Sequence, residues 1–226
     1  MIVNRVLERC RLPRKSLIKG KGIQGRGLPS KNQKGVRSIN ILIIGGARSG
    51  KSRFAQELAL KLGEPVLFVA TAVAGDDEMQ HRIEEHQRAR PATWTTLEIT
   101  AHVGSQIDRQ IGRSKVVIVD CITLLVNNIF NQYIDQTSEQ IDASLIEQKL
   151  IAEIDELIDC INHTDASFIM VTNEVGTGLV PANKVGRLYR DLLGLANQRL
   201  AAHAEEVYLM VAGLPVLIKP VQCPST

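Results

Sequence analysis

Short apolar runs rich in β-branched residues recur along the chain at Ile41–Ile44, Val66–Val69, Val116–Val119, Phe168–Val171 and Val207–Val211. Each is nearly continuous rather than alternating, the pattern of strands buried on both faces. Helical periodicity separates most of them. Phe54, Leu58 and Leu62 recur at four-residue spacing in a helix over Ser52–Leu62. A long helix is predicted from Thr137 or Ser138 to about Ile161, with Ile141, Leu145, Ile154, Leu157, Ile158 and Ile161 on its apolar side. Another is predicted over Val185–Ala204, burying Leu188, Leu192, Leu195 and Leu200. Strands alternating with helices imply an α/β fold with a parallel sheet and right-handed crossovers. The end departs from this rule. Only Gly213 and Pro215 punctuate the step from Val207–Val211 to Val216–Lys219, too short a link for a crossover, so the last strand is expected antiparallel.

The first 38 residues have no such periodicity. They hold eleven Lys or Arg against Glu8 alone, a balance of +10, which leaves 16 basic against 23 acidic residues, or −7, in the rest of a chain whose net charge is +3. Two parts follow: a basic N-terminal extension (1–38), expected to be disordered, and an acidic domain (39–226). The extension reads as a nucleic-acid or membrane-surface arm, as an organelle transit peptide, or as a leader without function; no aromatic residues are interleaved with its charges. No apolar run approaches the roughly 20 residues of a membrane span. Cys10, Cys121, Cys160 and Cys223 show no metal spacing or disulfide framework, so a cytoplasmic, reducing setting is expected.

Candidate chemistry begins at Gly45-Gly46-Ala47-Arg48-Ser49-Gly50-Lys51-Ser52, a G-x-x-x-x-G-K-S phosphate loop with a strand before it and a helix after it, as the motif requires. Its backbone N–H groups would cradle phosphate oxygens, the helix N-terminus would add positive potential, Lys51 would reach the β- and γ-phosphates, and the Ser52 hydroxyl would face Mg2+. The run Val116–Val119 ends in Asp120, a Walker-B pattern that would complete the metal shell from the carboxyl end of a parallel strand. Asp76-Asp77-Glu78 then opens a helix that Pro91 stops. On it His86 has Arg82 and Arg90 one turn away on either side. That setting suits an imidazole that meets a phosphate, although on spacing alone a partly buried core histidine is the commoner case.

Taken together, these segments resemble one family. GGARSGKS followed by Arg53, Ala70-Thr71, Asp76–Met79, Arg82-Ile83-x-x-His86, Arg90-Pro91, Trp94 with Glu98, Asp120–Thr123, Val171–Pro181 and Asn197–Ala201 are similar, in unbroken order, to the bifunctional adenosylcobinamide kinase/adenosylcobinamide-phosphate guanylyltransferases of cobalamin biosynthesis. The resemblance implies a P-loop, RecA-like, mostly parallel sheet flanked by helices, with its last strand antiparallel. It implies that ATP or GTP phosphorylates the aminopropanol hydroxyl of adenosylcobinamide. GMP then passes from GTP through a guanylyl-histidine, matching His86, to adenosylcobinamide phosphate, giving adenosylcobinamide-GDP. It also implies guanine-nucleotide contacts at Ala70, Thr71, Ala72, Gln87, Arg88, Ala89, Arg90 and Glu98 with Asp120 nearby, and a homotrimer. The basic extension departs from the family pattern. A competing reading is a RecA-like nucleic-acid-dependent ATPase gripping DNA with that extension; the acidic body weighs against it, and no nucleic-acid partner is expected.

Overall fold

A computed structural model describes residues 38–72, 87–88, 90–134 and 141–220. The basic extension up to residue 37 lies outside the described residues, as do His86, Ala89 and most of the histidine helix. The elements run β1 (Asn40–Gly45), α1 (Lys51–Leu62), β2 (Val66–Ala70), β3 (Thr95–Glu98), α2 (Val103–Gln110), β4 (Val116–Asp120), α3 (Ile122–Tyr133), α4 (Ala143–His163), β5 (Ser167–Asn173), α5 (Lys184–His203), β6 (Glu206–Val211) and β7 (Leu214–Lys219).

The seven strands form one sheet in the order β3-β2-β4-β5-β1-β6-β7. All neighbours are parallel except β6 and β7. The expected parallel sheet with an antiparallel last strand is therefore what the chain forms. The apolar runs are continuous because alternate residues serve two cores. Ile41, Ile43, Phe68, Ile118 and Ile169 pack beneath Phe54 and Leu58 of α1. Leu42, Val69, Val117, Phe168 and Met170 pack on the other face against α2, α3, α4 and α5.

Two helix readings need correction. The long helix begins at Ala143, not at Thr137 or Ser138, because the Asp142 side chain accepts the Leu145 N–H (3.0 Å) and caps it there. Ile141 therefore precedes the helix, Leu145 is exposed, and Ile146 and Leu150 take the buried positions. In α5 the buried stripe is Leu192, Leu193, Ala196 and Leu200, while Leu188 and Leu195 are only half-buried.

One helix start is closed from outside. α2 follows His102, which sits in the left-handed region (φ 54) and gives no side-chain cap. Glu153 of α4 accepts N–H bonds from His102 (2.8 Å) and Val103 (2.7 Å), and Glu156 accepts from Ser105 (2.8 Å). At the free edge, β7 turns Leu214, Val216 and Ile218 outward while Leu217 packs inward.

Candidate functional site

Residues at the carboxyl end of the sheet build the site. β1 ends at Gly45, where a side chain has no room: a Cβ would stand 2.6 Å from the Met210 carbonyl oxygen. Gly46, Ala47 and Arg48 form the exposed rim of the turn. Gly50 adopts φ 93, a left-handed conformation that favours glycine, and delivers the chain into α1. Gly50 has no side chain to cap α1 and no acidic residue lies in the first turn, so among the described residues its leading N–H groups remain available to an anion. Among the described residues the buried Ser49 hydroxyl has no hydrogen-bond partner. Lys51 is 8% exposed and donates to the Gly46 carbonyl oxygen at 2.6 Å, within the loop itself. Burial lowers its pKa, and the Cys121 and Asp120 side chains oppose that shift. Ser52, half-buried, follows directly.

The loop leans on the end of the fold. The Gly213 N–H, in the turn between β6 and β7, donates to the Ser49 carbonyl at 3.0 Å. A Cβ on Gly50 would stand 3.2 Å from the Gly213 Cα.

Asp120 closes β4, paired with Ala70 of β2 on one side and Val171 of β5 on the other. Thr71 clasps the chain beyond it: its hydroxyl donates to the Cys121 carbonyl (2.6 Å) and accepts the Cys121 N–H (2.9 Å). Burial and the neighbouring Asp120 push the Cys121 thiol up to about 12, so it is protonated at neutral pH and no nucleophile. The Asp120 and Ser52 oxygens are hard donors of the kind Mg2+ takes. Among the described residues the one tight His/carboxylate group is His102, Glu153 and Glu156, whose carboxylates are already engaged by α2.

A second group gathers where β2 meets β3. Ala70 pairs with Glu98, and its carbonyl accepts the Ile99 N–H at 2.9 Å. Ala72 is half-buried just past β2, and Arg88 is exposed. Gln87 donates to Glu98 at 3.2 Å. Arg90 lays its guanidinium 3.5 Å from the Phe68 ring centre, and Phe68 stacks on Trp94. Among the described residues the Arg90 Nε has no hydrogen-bond partner. Burial lowers the Arg90 pKa, with Asp120 and Glu98 acting against it. Asp120 therefore acts on both Lys51 and Arg90 and links the two groups. From β1 to β3 the sheet takes four steps of about 4.8 Å, so the groups span about 19 Å of one edge.

Behind this edge lies a buried polar relay that joins Thr123, Thr172, Asn173 and Asn197. Thr172 donates to Asn197 (2.7 Å), Asn197 donates to the Asn173 carbonyl (3.0 Å), and the Thr123 hydroxyl accepts the Asn173 N–H (2.7 Å). The available signal was a Thr ending an apolar strand and an Asn inside a leucine-rich helix.

Comparison with known proteins is consistent with this geometry. A family model described as cobinamide kinase / cobinamide phosphate guanyltransferase matches residues 41–218. The bifunctional adenosylcobalamin biosynthesis protein CobU of Escherichia coli K12 is 43% identical over 180 residues, covering 79% of this chain and 99% of its own length. CobU of Salmonella typhimurium LT2 is 42% identical, covering 79% and 99%. The bifunctional adenosylcobalamin biosynthesis protein CobP of Pseudomonas aeruginosa PAO1 is 39% identical, covering 79% and 96%. A crystal structure of the RadB recombinase aligns with a TM-score of 0.43 and 15% identity over 76% of this chain and 74% of its own.

Proposed function

The chain belongs to the cobinamide kinase / cobinamide phosphate guanyltransferase family, and from that premise we propose that it carries out both reactions on adenosylcobinamide, with His86 as the covalent guanylyl carrier. In the first, the aminopropanol hydroxyl oxygen attacks the γ-phosphorus of ATP or GTP. The bond to the β-phosphate oxygen breaks and the hydroxyl proton is released. In the second, a neutral imidazole nitrogen attacks the α-phosphorus of GTP and expels pyrophosphate. The phosphate of adenosylcobinamide phosphate then displaces the histidine, breaking the P–N bond and giving adenosylcobinamide-GDP.

The open start of α1 carries this reading. A buried Lys51 and unclaimed N–H groups make a preorganised cradle for a chain of phosphates. Lys51 would leave the Gly46 carbonyl to hold phosphate oxygens. Ser52 and Asp120 would hold Mg2+, which when bound neutralises phosphate charge. The Gln87–Glu98 pair and Arg90 would receive the guanine-nucleotide end, with Ala70, Thr71, Ala72, Arg88 and Ala89 around it. His86 directly precedes Gln87 in the sequence, and the Gln87 side chain donates to Glu98.

The homotrimer is carried over from the resemblance, and the outward apolar stripe of Leu214, Val216 and Ile218 on β7 offers a surface for a contact between copies. Among the described residues no helix is long and apolar enough to cross a membrane, and we place the reactions in the cytoplasm.

The test is incubation with GTP radiolabelled at the α-phosphorus, followed by denaturing electrophoresis. An acid-labile, alkali-stable adduct is expected, as for a phosphoramidate. His86→Ala should abolish it while adenosylcobinamide phosphorylation stays measurable. An adduct that persists in His86→Ala, or that resists acid, overturns the assignment.

A further inference from the structure

The loop between β5 and α5 takes no part in the nucleotide chemistry above, yet it has an unusual surface. Leu179 is 96% exposed and Val180 65% exposed. This tip is held rather than loose. At one end the Glu174 carboxylate accepts the N–H groups of Gly176 and Thr177. At the other the Arg187 guanidinium donates to the carbonyls of Pro181 (3.0 Å) and Ala182 (2.7 Å), and Asn183 caps α5. Two aliphatic side chains on a braced tip are kept in water instead of folding onto the nearby core, which marks a contact surface.

Its place in the sheet says what it meets. β5 lies between β1, which leads into the phosphate loop, and β4, which ends in Asp120. A triphosphate held by both crosses the end of β5. The loop leaves that point beside the phosphate loop, with the Glu174 N–H bonded to the Gly45 carbonyl at 3.1 Å. A phosphoryl acceptor attacks in line with the terminal phosphate, and on the kinase reading its bulk would lie against the loops at this end of the sheet, this one among them. For cobinamide that bulk is a methyl-studded macrocycle, far larger than the hydroxyl arm that reacts.

We propose that Leu179 and Val180 form the apolar seat for the corrinoid ring while its aminopropanol arm reaches the phosphates. The assignment rests on the kinase reading above and adds the residues that select its acceptor. It is tested on the full chain by equilibrium dialysis of adenosylcobinamide, whose visible absorbance reports binding without turnover. Leu179→Ser and Val180→Ser should each weaken adenosylcobinamide binding about tenfold, the scale of losing one buried aliphatic contact. GTP affinity should stay within twofold and the mass by light scattering should be unchanged. Leu179→Met should restore binding. Unchanged corrinoid affinity in both serine variants overturns the proposal. So does a fall in assembly mass, which would make the tip a contact between copies. A wild-type protein that binds adenosylcobinamide without phosphorylating it would defeat the kinase reading and leave the seat standing.

Discussion

Two helices of this fold begin alike and end up with opposite roles. α1 follows a left-handed Gly50 and α2 a left-handed His102, and neither receives a side-chain bond from its own N-cap. Each leaves N–H groups that need an acceptor. At α2 the protein supplies its own anions, Glu153 and Glu156 reaching across from α4. At α1 no anion comes from the N-cap or the first turn, and Lys51 is buried beside the open donors. The same electrostatic need is met at α2 by the protein's own carboxylates and is left open at α1, where the proposed function puts the phosphates. The closed end also accounts for the His102–Glu153–Glu156 cluster: its geometry resembles a metal site, and its oxygens are helix caps.

The contrast is sharpest at Lys51. Lys51→Ala should slow both phosphoryl and guanylyl transfer by about 10²–10³-fold, the scale of losing one charge-stabilising donor. Its Tm should not fall, since burial disfavours that cation in the folded chain. A variant that unfolds would show that the open end serves stability as the closed one does. Glu153→Ala should do the reverse, costing about 2 kcal/mol of stability by stranding two N–H groups, with GTP affinity intact when followed by denaturant melts and nucleotide titration.

Glu156→Gln is the mildest case, at about 0.5–1 kcal/mol near neutral pH. Partial burial would raise the Glu156 pKa, but hydrogen bonds from Ser105 and His102 outweigh it, and the net shift is downward. The ionised form therefore contributes stability above the ordinary carboxylate pKa, and that contribution is lost as pH falls through the lower folded value. Wild-type and Glu156→Gln melting curves should differ at neutral pH and converge in acid. A gap that widens on acidification would contradict this account of the cap.

Local signals were legible and distant ones were not. The central strands could be read because both faces are buried, which leaves unbroken apolar runs. Thr95–Glu98 is mostly exposed at the sheet edge and carries no such run, so β3 went unread. α2 is short and its cap comes from residues about 50 positions later, beyond any sequence window. α3 begins at Cys121 without a capping bond, so its start left no mark. The phosphate loop was legible because its geometry is encoded in eight consecutive residues. The Thr123–Thr172–Asn197 relay joins three separate elements, and no pattern along the chain announces it.

The bond from Gly213 to Ser49 has a consequence for folding. The wall behind the phosphate loop comes from the turn between β6 and β7, far along the chain from the G-x-x-x-x-G-K-S sequence, and it reaches the loop only once β6 has paired with β1. The backed loop is therefore a property of the closed sheet, and the eight-residue motif alone does not supply it.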